Sequence, residues 1–420
     1  MIKASLLKNR NFSLLWLAQV ISTLGSVFYD VAVMVTVFQQ TGSALQTVGV
    51  MIAKTLPPFL LGPFAGVLVD RYSRKWVLIM MNFARAVLVG MLLLFVQSHT
   101  VNIWGIYAVV AGLAVAETFY EPARVAILPS LVPKVELVRA NSLMMSTKQA
   151  ALAAGYALGG LLILNLGFQK LIMLNLLTFL IAAGAAALLV VPKRSTGVAM
   201  PFRQVSIGHD LVDGLAYLRD HRLARPLVTM ELMEHVPHGI WISPLLLVFT
   251  ARALHAGPEG WGYQNAAFYG GQLVGATVAV LIAGQMARRP GQIIIWNAFL
   301  FSLLTMTYSL SPNLTFAIIM TALFGPTSAM RDVAQDSLLQ GSVKIEMLGR
   351  VFATRMMLAN LNFMLAGLAF AWLADQLPIR WIYLLGGLLY LGTALYALSN
   401  QAIRRSQITA PNQQRHQQPV

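Results

Sequence analysis

Glu231, Glu234, His235 and His238 lie close together in a long apolar stretch of this 420-residue chain. Imidazole titrates near neutrality, and a carboxylate beside it can pass a proton on, so the group could work as a proton relay. Glu231, His235 and His238, spaced i, i+4, i+7, share one helical face. Carboxylate and imidazole at that spacing can also ligate a transition metal, although a full site needs ligands from other helices. The third reading is structural. Polar side chains would hydrogen-bond inside a bundle around Pro237 and Gly239, where a broken helix exposes backbone groups.

Other ionisable residues also sit in apolar runs, where such groups face an interior or a cavity and are functional candidates. Asp30 and Lys54 fall at matching depth in consecutive stretches and could pair, as a fixed ion pair or as a proton carrier whose partner changes. Glu117 and Glu121 are expected to face Lys148. Asp332 and Asp336 are expected to face Arg355 and Arg350, and Arg85 could join Glu117. These look like two copies of one set of charge pairs, which would stabilise a gate; Lys148 and Arg331 could instead attract an anionic substrate. Tyr29, Trp241, Tyr263, Gln264, Asn265, Tyr269, Gln272, Asn360 and Asn362 are polar or aromatic positions that could line a cavity. No catalytic residues are expected. Ser243 shares its stretch with His235 and His238 but has no Gly-x-Ser-x-Gly turn, and no phosphate-binding loop occurs, so energy should come from an ion gradient with no cofactor.

These residues need helices that cross lipid. With 57% hydrophobic and 11% charged residues, the chain is too apolar to wrap a soluble core in a polar surface. A net charge of +15 would suit nucleic acid if it gathered on one face, but it is scattered through short connectors, so no nucleic-acid partner is expected. Zero cysteine excludes disulfides and thiolate chemistry. Walking the chain for runs of about 20 apolar residues finds a dozen, from near Asn11 to near Ser399, and the first reads as a membrane helix, not a cleaved signal. Most of the 30 Lys and Arg fall at the termini and in even-numbered connectors, with Lys170, Arg252 and Arg380 on the other side. Both ends are therefore expected in the cytoplasm. The domains expected are a six-helix bundle over 1–191, a basic cytoplasmic linker over 192–222, a second bundle over 223–400 and a disordered tail over 401–420.

The halves are related in sequence. Lys134-Val135-Glu136-Leu137-Val138-Arg139 recurs as Lys344-Ile345-Glu346-Met347-Leu348-Gly349-Arg350. Arg74-Lys75 is echoed by Arg288-Arg289, with Gly284 where Asp70 would stand, so the second copy of that hairpin is degenerate. A duplicated six-plus-six plan with a long central loop is that of a secondary transporter.

Gly66, Asp70, Arg71, Arg74 and Lys75 match the hallmark of the major facilitator superfamily, which the chain resembles over nearly its whole length. Within it, Thr41-Gly42-Ser43-Ala44, Leu128-Pro129-Ser130-Leu131-Val132-Pro133, Ala140-Asn141-Ser142-Leu143 and Leu348-Gly349-Arg350-Val351 resemble the branch of macrolide and siderophore exporters. The resemblance implies an all-α membrane fold of twelve helices in two pseudo-symmetric bundles. It further implies alternating access, a monomer, a small-molecule substrate and efflux of a drug or siderophore-like compound by proton antiport. It assigns Asp70 a gating role, docked against the eleventh span. One departure weakens antiport: the run Gly155-Tyr156-Ala157-Leu158-Gly159-Gly160 has Tyr156 where the branch usually carries proline. The rivals are an uptake symporter or lipid translocase on the same fold, a metal-ion exporter, and a non-transporting scaffold.

Overall fold

The computed structural model describes residues 5–97, 102–133, 136–191, 207–241, 243–282, 286 and 288–406. Among them the chain is helical between short connectors and has no strand. Two compact units form, one from 1–203 with 256–266 and the other from 204–255 with 267–420.

In the first unit, α1 spans Arg10–Thr41, α2 Ala44–Arg71, α3 Arg74–Gln97, α4 Ile103–Leu131 and α5 Leu137–Ala187. Their starts follow from local chemistry. The side chains of Asn9, Ser43 and Asn102 accept hydrogen bonds from the first free backbone N–H groups of α1, α2 and α4. The end of α1 is set by Gly42, whose φ of 63° lets its N–H reach the Phe38 carbonyl. α5 is two helices end to end. Gly167, at φ 75° and ψ 172°, separates arms of 137–166 and 168–187 in a conformation essentially confined to glycine.

α1 packs most extensively on α5. The glycines of the Tyr156 run make this possible: a Cβ on Gly155 would lie 2.9 Å from the Val27 side chain, and one on Gly159 2.9 Å from that of Val31. Gly160 faces the Pro258 carbonyl in the same way, and Gly262 the Tyr156 carbonyl. Tyr156 then meets Trp261 edge to face, at 5.7 Å between centroids. Around the position where the branch usually carries proline, the structure places a close-packed seam of small residues.

The second unit holds α6 (Ile207–Asp220), α7 (Ala224–His238), α8 (Ser243–Ala253), α10 (Pro290–Ser309), α11 (Leu314–Ser342), α12 (Ile345–Gln376) and α13 (Ile379–Ser399), while α9 (Pro258–Leu281) runs from the first unit into it. The break expected near Pro237 and Gly239 is present. α7 gives way to a 3-10 turn at Gly239–Trp241, and the helical stretch Ala224–Trp241 is bent by 49° from Pro244–Ala253. Arg380 donates to the carbonyls of Ala253, Ser309 and Ser311, a cation placed where α8 and α10 end.

α4 and α11 show the duplication directly. Each has 29 residues, begins at a capping asparagine (Asn102, Asn313), and ends with a backbone N–H (Val132, Val343) on a leucine carbonyl (Leu128, Leu339). Nine described helices are long and apolar enough to cross a membrane, or ten with the bent α7–α8 pair. α5 consists of two arms about Gly167, and α9, of 24 residues, is more polar than this set. Large apolar side chains such as Leu94, Trp296, Leu303 and Trp381 stand exposed, which a surface bathed in hydrocarbon permits.

Candidate functional site

α7 presents its two carboxylates to different neighbours. Glu231 accepts from Arg355 Nε of α12 at 2.5 Å, and Arg355 Nη1 reaches Asp336 of α11 at the same distance. Glu234, one turn on, is fully buried. Its contact is with Arg331 Nη2 of α11 at 3.4 Å, and neither of its oxygens has a hydrogen-bond donor among the described residues. Arg331 is itself buried, holds Asp332 at 2.8 Å and lies over the Phe301 ring of α10 at 5.7 Å. The carboxylates of α7 and the charges of α11 and α12, read from sequence as separate constellations, combine in two ion-pair sets, Glu231–Arg355–Asp336 and Glu234–Arg331–Asp332.

The two histidines do not join the carboxylates. His235 Nδ1 is 2.8 Å from the Glu231 carbonyl, and His238 Nδ1 is 2.9 Å from the Tyr390 hydroxyl. No three metal-ligating side chains converge among the described residues. Of the group Glu231, His235 and His238, Arg355 holds the carboxylate, and each histidine uses Nδ1 on a protein partner.

In the first unit Asp30 and Lys54 pair directly across α1 and α2, as their depths predicted. Tyr29 is buried with its hydroxyl unpartnered. Glu117 pairs with Arg85 of α3 and not with Lys148; Arg85 is buried and lies 4.1 Å over the Tyr120 ring. Glu121 is gripped at both oxygens by Arg124, at 2.7 and 2.6 Å, with Lys148 farther off at 3.7 Å. Arg124 also donates to Gln19 of α1 at 2.9 Å. The reading of charge pairs missed Arg124 and Gln19, although the i, i+3 spacing of Glu121 and Arg124 was a usable signal.

Arg350 departs from expectation too. It donates to Asp213 of α6 at 2.8 Å, a partner that was not expected. Of the hallmark residues, Arg74 donates to the Ala126 carbonyl and Lys75 to the Leu189 carbonyl, both at 2.7 Å, so this basic pair ties α3 to α4 and to the end of α5. Gly66, Asp70 and Arg71 lie outside the residues whose side chains are described, as does Gly284.

The proposed cavity residues divide. Gln264 and Asn265 are buried, with amide nitrogens on the Gly260 and Trp261 carbonyls of their own helix, and Asn362 donates to the Leu232 carbonyl. Trp241 packs among Phe324, Tyr308 and Tyr383, with centroids at 4.4, 4.8 and 5.4 Å. Tyr263 and Asn360 are exposed, while Tyr269 and Gln272 are half-buried.

A family model described as transmembrane secretion effector matches residues 3–420. The MFS-type transporter YjbB of Bacillus subtilis is 28% identical over 94% of this chain and 96% of its own. Macrolide efflux protein A of Streptococcus pyogenes is 24% identical, with the same coverage of each chain. Among solved structures, the nucleoside transporter NupG superposes with a TM-score of 0.71 at 12% identity, covering 92% of this chain and 100% of that one. A D-xylose-proton symporter gives 0.62 at 13%, covering 94% and 100%. At such identities these structures show a shared fold.

Proposed function

The chain belongs to the transmembrane secretion effector family of multi-pass MFS transporters, and from that premise we propose that it exports a small amphipathic compound in exchange for protons. The observation that carries this reading is Glu234. A fully buried carboxylate with no hydrogen-bond donor, held by a single guanidinium at 3.4 Å, is a place where one proton changes which helices are held together. When Glu234 takes up a proton its charge and its attraction to Arg331 vanish. Arg331 keeps a carboxylate partner in Asp332, so the guanidinium is not stranded. α7, already broken at Gly239–Trp241, is then released from α11, and its two halves can change their angle. Loss of the proton on the other side of the membrane restores the pair. Asp30, bound to Lys54, is a second carboxylate whose partner could change in this way.

Export rather than uptake, and a macrolide-like substrate, are favoured by the likeness to macrolide efflux protein A, which extends over almost the whole of both chains. The orientation proposed puts both termini in the cytoplasm, on the side to which most connector Lys and Arg belong. The experiment uses purified protein in vesicles under an imposed pH gradient, with macrolides, lipophilic cations and catecholate siderophores as cargo. Substrate should move against the proton flow and stop when the gradient is collapsed. Movement with the protons would establish uptake, and flux of labelled phospholipid alone a lipid translocase.

A further inference from the structure

A cavity of about 790 Å³ opens where α7 begins, α11 ends and α13 passes into the turn Gln401–Arg404. That volume is within the range of small-ligand sites, about 300–1,000 Å³. Arg222, Arg225 and Arg405 line it, and no carboxylate does among the described residues. The contrast with the neighbouring cavity is informative. That one shares His221 and Ser342 as a wall, but sets Asp213 and Asp220 beside Lys344 and Arg350, so its charges are matched. The three guanidiniums of the first cavity repel one another without an acid between them, and an anion from outside would supply the missing charge.

The cavity is also built. His221 Nδ1 accepts from the N–H groups of Leu223 and Ala224, at 3.2 and 3.0 Å, while Nε2 donates to the Ser342 carbonyl at 3.0 Å. One imidazole thereby caps α7 and ties it to the end of α11, fixing the chain on either side of Arg222 and Arg225. On the opposite wall Asn400 accepts from the N–H groups of Ala402 and Ile403, which holds the turn leading to Arg405.

What adjoins the cavity distinguishes a lipid from a free anion. Tyr396 lines it at half burial, an aromatic ring with a polar tip of the kind placed at membrane interfaces. On the same helix Leu395 and Leu398 are 52% and 41% exposed, so α13 carries apolar surface at the level of the cavity on another of its faces. We propose that this cavity binds the phosphate of an anionic phospholipid, with guanidinium groups on the headgroup and acyl chains along α13. Guanidinium suits the task because its planar fork can bond two phosphate oxygens at once. Basic residues without an acid, an aromatic ring of the interfacial kind and a helix with exposed leucines at the same level suit a lipid headgroup better than a free phosphate.

The test titrates delipidated full-length protein with dioleoyl phosphatidylglycerol and follows bound lipid by native mass spectrometry. It compares wild type, Arg222→Gln/Arg225→Gln/Arg405→Gln, Arg405→Gln alone, and a control altered at two other exposed arginines, Arg288→Gln/Arg289→Gln. Wild type and control should retain one lipid about tenfold more tightly than the triple variant. Dioleoyl phosphatidylcholine should bind wild type no better than the triple variant binds phosphatidylglycerol, and millimolar inorganic phosphate should leave the lipid in place. If the triple variant does not fold, Arg405→Gln, on an exposed turn, carries the test and should weaken retention severalfold. Equal retention by wild type and the folded arginine variants would overturn the site. So would equal loss in the control, equal binding of phosphatidylcholine, or displacement by phosphate, which would make it a site for a free anion.

Discussion

Glu231 and Glu234 are one turn apart on α7, and their partners give them different work. Glu231 is locked by Arg355 at 2.5 Å, and Arg355 is shared with Asp336. Removing one partner of such a buried pair leaves a charge without compensation, at a cost of about 3–5 kcal/mol. Arg355→Met should therefore lower the melting temperature in detergent, and Glu231→Gln in the same chain should restore most of it. Glu234 has no comparable grip, so Glu234→Gln should fold with little loss of stability yet uncouple transport from protons. Which residues to examine was legible in the sequence, because an acid or base in an apolar run is conspicuous. Which of them meet was legible only in part. Asp30 and Lys54, Arg85 and Glu117, and Asp336 and Arg355 meet as expected, while Glu121 is gripped at both oxygens by Arg124, with Lys148 farther off. Arg350 turns toward α6, a helix in a connector that hydropathy does not position.

At the scale of helices, ends were more legible than rotations. Asparagine and serine caps mark where α1, α2, α4 and α11 begin. The angular position of each helix depends on packing that no single segment encodes. Duplication followed by divergence appears at one matched pair of sites. Tyr120 and Arg331 stand at the same distance from the caps Asn102 and Asn313, while Arg85 and Phe301 stand at the same distance from the helix starts Arg74 and Pro290. In one unit the cation is on the earlier helix and the ring on the later; in the other they have changed places. Two tests belong here. Gly167→Ala forces a β-carbon into a conformation that only glycine adopts readily, costing about 1–3 kcal/mol, and should lower the melting temperature. The α6 contact should behave differently. Asp213 and Arg350 are each 30% exposed, so breaking their bridge should cost less than about 1 kcal/mol of stability. If α6 communicates with α12 through it, Asp213→Arg should impair transport and Asp213→Arg/Arg350→Asp should recover it, at unchanged abundance.

For the whole molecule, the composition declared a membrane protein, and the recurring segments declared a duplicated one. The change from α-helix to 3-10 turn is also visible in sequence, as Pro237 followed by Gly239, although the 49° bend beyond Trp241 is not. What joins these levels is the claim that a proton on Glu234 governs whether α7 and α11 are held together. The most direct measurement reconstitutes wild type and Glu234→Gln in vesicles and records a fluorescent macrolide in two regimes, driven by a pH gradient and exchanging at equal concentration with no gradient. Proton coupling through Glu234 requires that wild type concentrate the macrolide under the gradient, and that Glu234→Gln lose this concentration while still exchanging. Gradient-driven accumulation by Glu234→Gln at the wild-type level would contradict it.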